Sequence, residues 1–134
     1  MTKMRLAKAQ RLLKLNREMQ KLEEEKLATA RGQKLAVQAE QDSLIDALSS
    51  GGAKLQALPT PMVLQRLRKL DDQKRALETE ITAGATVLRT VMTRAKYSER
   101  LTKQYEMQHR RASEGKELQE VIERVLRKGD VSLP

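Results

Sequence analysis

Apolar residues recur along this chain in steps of three and four. From Arg5 to Leu48 there is no proline, and Gly32 is the only glycine. Leu12, Leu15, Met19 and Leu22 follow a 3-4-3 spacing. The phase slips near Lys26, then resumes as Leu27, Ala30, Lys34, Val37, Gln41, Leu44 and Leu48. Such steps keep side chains on one side of an α-helix, in a seam able to pack on a second helix. From Val63 the rhythm is longer and more regular: Val63, Leu67, Leu70, Lys74, Leu77, Ile81, Gly84, Leu88, Val91, Ala95, Ser98, Thr102, Tyr105 and His109. It weakens in apolar character after Ala95. A new apolar face then follows as Leu118, Val121, Ile122, Val125 and Leu126, ended by Gly129.

Between the two periodic runs lies "SSGGAKLQALPTP", Ser49 to Pro61. Gly51 and Gly52 suit a helix C-terminus, where a left-handed cap costs glycine nothing sterically. Thr60 and Pro61 suit the next start, as a capping hydroxyl followed by a proline at the first helical position. The pattern predicts one all-α domain over 1–134: an elongated antiparallel two-helix coiled-coil hairpin with an overhanging C-terminal helical segment. Helix one is expected at about 4–48, the turn at 49–61 and helix two at about 62–128. The helices would be about 65 and 100 Å long. Antiparallel pairing across the turn sets partners whose numbers sum to about 109 to 111. Lys26 then falls near Gly84, either because glycine makes room for the lysine stem or because "TAGAT" is a hinge.

Composition supports a coiled coil. Ala, Glu, Lys, Leu, Arg and Gln dominate, charged residues reach 34%, and there is no Phe or Trp. A thick globular core usually leans on such aromatics, whereas a narrow seam does not need them. No cysteine is present, so disulfide and thiolate chemistry are excluded. The N-terminal "MTKMRLAKAQ" lacks the apolar run of a secretory signal. The longest charge-free stretch, Leu55 to Gln65, has 11 residues, too few for a membrane span. The expectation is a soluble, cytoplasmic protein.

Net charge is +9, which suggests an anionic partner. Residues 1–17 carry Lys3, Arg5, Lys8, Arg11, Lys14 and Arg17 and no acid. From Arg5 the spacing is three, so each cation steps about 60° back around a helix that turns 100° per residue. The result is a collar. The register brings Arg94, Lys96, Arg100, Lys103, Arg110 and Arg111 beside it, making a basic pole opposite the turn. Such a collar suits insertion into a hole lined with acids or acceptors. A nucleic-acid groove binder would show a one-sided face with stacking residues, and only Tyr97 and Tyr105 could stack. Beyond about Arg110 the register leaves helix two unpaired, so Leu118, Val121, Ile122, Val125 and Leu126 form an uncovered apolar overhang. A second copy, a returning bend or a foreign partner would cover it.

No phosphate loop, metal-ligand spacing or nucleophile motif is present, and the lone histidine, His109, has no acidic or thiol companion. Glu23 to Glu25 spread their carboxylates around a helix that offers no pocket. The reading is a non-enzymatic protein without catalytic residues, metal or cofactor.

Two segments carry a family resemblance. "RLLKLNREMQKLEEEKLA", Arg11 to Ala28, is a basic-then-acidic first helix. "RRASEGKELQEVIERVL", Arg110 to Leu126, places an arginine, E-x-K-x-L and a further acid at Arg111, Glu114, Lys116, Leu118 and Glu120. Both resemble the FliJ/YscO family, the cytoplasmic central stalks of flagellar and virulence type III export. The chain departs from that family in having no aromatic near the start of helix one and in placing Gly115 mid-helix. The resemblance implies a two-helix coiled coil whose paired ends enter a hexameric export ATPase, with the export gate and export chaperones as further partners. It also implies a place beside a membrane-associated apparatus, without membrane insertion. The competing expectations are an adaptor coiled coil with no ATPase partner, including a homodimer, or a coiled coil contacting nucleic-acid phosphates.

Overall fold

The computed structural model describes residues 2–50 and 60–132. They form two α-helices, α1 (Thr2–Ser49) and α2 (Thr60–Ser132), with no strand among the described residues. The chain is an all-α helical hairpin, as its spacing predicts. α1 starts two residues before its expected first residue, and α2 starts at Thr60 and runs past Lys128 to Ser132. The central turn, with Gly51, Gly52 and Pro59, falls on 51–59, outside the described residues.

Both helices are rich in residues that lose little rotamer freedom in a helix. Threonine is the main exception in α2, because its hydroxyl competes for backbone partners. Here that competition is settled within the helix. Thr79, Thr82, Thr86 and Thr90 donate to the carbonyls of Arg75, Glu78, Thr82 and Thr86, at 2.9 to 3.2 Å. At the other helix end, the Ser50 N–H donates to the Asp46 carbonyl at 3.0 Å, and the Ser50 hydroxyl donates to the Ala47 carbonyl at 3.3 Å.

Interhelical packing divides the chain into two compact units, one of Met1–Glu18 with Met92–Pro134 and one of Met19–Val91. The second unit holds the larger aliphatic side chains. Leu27, Ala30, Val63, Leu70 and Val91 are buried, and Val37, Leu44, Leu67, Leu77, Ile81 and Leu88 are half-buried. Its helices run antiparallel: Leu27 meets Gly84, Lys34 Nζ lies 3.5 Å from Glu78, and Arg66 reaches Glu40. Polar seam positions keep their charged ends wet. Lys34 and Lys74 are half-buried, as expected of stems that lie along apolar surface. The Arg66 guanidinium bonds both Glu40 oxygens, at 2.9 and 3.1 Å. Those hydrogen bonds, and then the carboxylate's charge, push its pKa further up.

Two expectations need correction here. The seam does not slip near Lys26. Below Leu27 the inward positions are Glu23 and Gln20, both half-buried, so the three-four rhythm continues unbroken. Leu22 is 56% exposed and Met19 37%, so these apolar residues lie off the seam. Nor does Gly84 accommodate Lys26. A Cβ built on Gly84 would lie 3.5 Å from Leu27 Cδ1, while Lys26 turns along its own helix to Glu23 at 3.4 Å. The helix continues through "TAGAT" without interruption.

These contacts predict opposite outcomes at two seam positions. A contact of 3.5 Å is ordinary van der Waals packing, so Gly84→Ala should stabilise by about 0.5–1 kcal/mol through helix propensity alone. Leu70, fully buried, should cost about 2–5 kcal/mol on truncation to alanine. Urea unfolding of both variants, followed by circular dichroism, checks the pair.

Candidate partner-binding surface

The first unit packs on small and polar side chains. Among the described residues Ala9, Asn16, Ala95, Ser98 and Thr102 are buried in it, and Leu6, Leu13, Leu101, Tyr105 and His109 are half-buried beside them. The two helices are antiparallel here too, with Asn16 against Ser98 and the Thr2 hydroxyl 3.5 Å from His109 Nδ1. Every α2 position expected on the seam in this unit lies inward: Ala95, Ser98, Thr102, Tyr105 and His109. The α1 expectation fails. Leu12 is 44% exposed and Leu15 53%, and their neighbours Leu13 and Asn16 face the partner helix instead.

Burial of Ala9 and Ala95 removes little apolar area, so the hydrophobic contribution here comes mainly from the half-buried Leu6, Leu13, Leu101 and Tyr105. Small side chains instead let backbones approach closely, and the polar groups enclosed must then be satisfied. They are. Asn16 Nδ2 donates to Ser98 Oγ, and Thr102 Oγ1 donates to the Ser98 carbonyl at 2.8 Å. Among the described residues no buried side-chain nitrogen or oxygen lacks a partner.

What the seam leaves outward is basic. The first unit holds 16 Lys and Arg against 8 Asp and Glu, a net +8, while the second holds 11 against 10, a net +1. Nearly all of the chain's charge of +9 therefore sits on one unit. Arg5, Lys8, Arg11, Lys14 and Arg17 on α1 are all exposed, as are Arg94, Lys96, Arg100, Lys103, Arg110 and Arg111 on α2. Among the described residues one of these cations makes an ion pair, Lys103 with Glu99 at 3.3 Å. The expected basic residues are thus gathered on one compact unit and held toward solvent.

Alongside them runs an apolar groove that residue spacing did not reveal, lined by Leu12, Asn16, Thr93, Arg94, Tyr97 and Ser98. Tyr97 is 65% exposed, whereas Tyr105 is taken up by the seam. The signal for this groove was present in α1. Counting back from Leu27 in alternating steps of four and three lands on Glu23, Gln20, Asn16, Leu13, Ala9 and Leu6, which leaves Leu12 and Leu15 one position aside.

α1 begins opposite His109, and from Arg110 to Lys128 every residue of α2 is exposed. The five apolar residues of the overhang are half to two-thirds exposed, Ile122 least at 49% and Val125 most at 63%. α2 stays helical through this segment, so no bend folds the face back. Among the described residues no group of three His, Cys, Asp or Glu could hold a metal, and no helix is long and apolar enough to cross a membrane. No protein-family model, curated protein or solved structure matches this chain.

Asn16 is the test of how this unit holds together. Asn16→Ala should destabilise by about 1–2 kcal/mol, because the Ser98 hydroxyl loses its buried partner. Asn16→Ala with Ser98→Ala should cost less than the two single changes added together, as groups sharing one bond do. Denaturant midpoints of the four proteins give that coupling directly.

Proposed function

We propose that this chain is a non-enzymatic stalk of a bacterial type III export apparatus, flagellar or virulence-associated. Its basic unit engages a hexameric export ATPase, and it links that ring to the export gate or to export chaperones. The observation that carries this reading is the segregation of charge: a net +8 on one unit, displayed on exposed cations of both its helices. A ring interior surrounds what enters it, so a ligand for a ring needs charge on several sides. Cations stepped around α1 and repeated on α2 meet that requirement. The uncovered apolar face at Leu118 to Leu126 adds surface that a protein partner would bury. The likeness of Arg11 to Ala28 and of Arg110 to Leu126 to the FliJ/YscO stalks supports the same reading.

A nucleic-acid partner is less well served. Stacking on single strands needs exposed aromatic faces, and Tyr97 is the one exposed aromatic in the unit.

Coelution with a purified hexameric export ATPase tests the proposal. Binding should weaken about tenfold or more between 50 and 500 mM salt, roughly the range over which exposed charges become screened. Reversing Arg5, Lys8, Arg11 and Lys14 to Glu should abolish coelution with helicity unchanged, since exposed charges contribute little to folding. Val121→Asp with Val125→Asp should weaken it as well. Coelution that survives all four charge reversals would sink the electrostatic account.

A further inference from the structure

Around the overhang the charges have an order that no ion pair among the described residues uses. Glu114, Glu117, Val121, Arg124 and Lys128 lie along one flank of the apolar face, since steps of three and four keep them on one side of the helix. They read acid, acid, apolar, base, base. All five are exposed, and none of the four charged residues makes an ion pair among the described residues. The sign inverts about Val121. A second copy laid antiparallel across this face would set Glu114 opposite Lys128 and Val121 opposite itself, with Glu117 within one residue of Arg124. In antiparallel helix pairs, flanks of the same side face each other, and charges there set partner and orientation.

The apolar side is placed to allow this. At about 100° per residue, Leu118 points about 180° away from His109, which faces α1. A helix docked on Leu118, Ile122 and Val125 therefore approaches from the side turned away from α1, while Glu114 and Glu117 border a groove that Leu6 of α1 also lines. The opposite flank adds no conflict, since the residues beside the face there, Gln119 and Leu126, are uncharged.

We infer that in the free protein a second copy of this chain covers the overhang, as an antiparallel helix pair over residues 114–128 centred on Val121. The inference does not depend on the export reading, because both the charge order and the bare face belong to the chain itself. A pair of this length buries less than the roughly 1,200–2,000 Å² of a stable interface, so association is weak and concentration-dependent.

Sedimentation equilibrium of the full chain should show a molar mass rising from 15.3 kDa toward twice that value with concentration. Glu114→Lys with Glu117→Lys turns each cross-pair repulsive, as does Arg124→Glu with Lys128→Glu. Each double variant should dimerise about tenfold less tightly. Two recoveries then follow from the antiparallel arrangement alone. An equimolar mixture of the two double variants should associate like the wild type, and so should a single chain carrying all four changes. Circular dichroism should be unchanged throughout. A wild type that stays at 15.3 kDa up to about 1 mM, far weaker than a specific interface, would overturn the inference. So would double variants that self-associate as tightly as the wild type, or a four-change chain that fails to recover.

Discussion

Two helices packed only on each other, as the described residues are, can bury only one narrow stripe each, and how that stripe is filled sets what holds the chain together and what it leaves outward. The inward positions recur in alternating steps of three and four, which holds them on one side of the helix. In the second unit the stripe holds Leu27, Val63, Leu70 and Val91, and apolar burial is its cohesive force. In the first it holds Ala9, Asn16, Ala95, Ser98 and Thr102. Cohesion there rests on the half-buried Leu6, Leu13, Leu101 and Tyr105 and on a satisfied polar pair, Asn16 with Ser98. A buried polar residue at such a position penalises other registers, which would strand it unpaired. Asn16 thus does for alignment in the first unit what Leu70 does for stability in the second.

The narrow stripe also decides what is left for partners. Side chains that cannot enter the seam remain on the surface, including Leu12, Leu15 and Tyr97 beside it and five apolar residues of the overhang. Scattered exposed leucines are ordinary on a protein surface. Five large apolar side chains exposed on one helical face are not. The charge is partitioned too, with a net +8 on the first unit and +1 on the second. The second unit's acids and bases nearly balance and link the helices through Arg66 with Glu40 and Lys34 with Glu78. The first unit's cations, Lys103 excepted, carry no such ion pairing among the described residues. Charge left unneutralised within the fold is available to an anionic surface.

The sequence by itself determined that the chain is two helices, and it determined which α2 residues turn inward. Fourteen positions from Val63 to His109 keep strict spacing, and the structure buries or half-buries all of them. Periodicity is a local property, so it is legible wherever one stripe dominates. The gathering of basic residues was legible for the same reason, because their spacing along each helix and an antiparallel register suffice to bring them together. In α1 two stripes compete. Leu12, Leu15, Met19 and Leu22 form an apolar set with correct spacing, one position away from Leu13, Asn16, Gln20 and Glu23. Hydrophobicity favours the first set, yet the structure turns the second set inward. Tertiary structure alone decided this, since phase along a helix must match the partner. Asn16 is positioned to bond Ser98, and Leu27 to sit on Gly84. A helix cannot rotate one segment outward without losing register in the next.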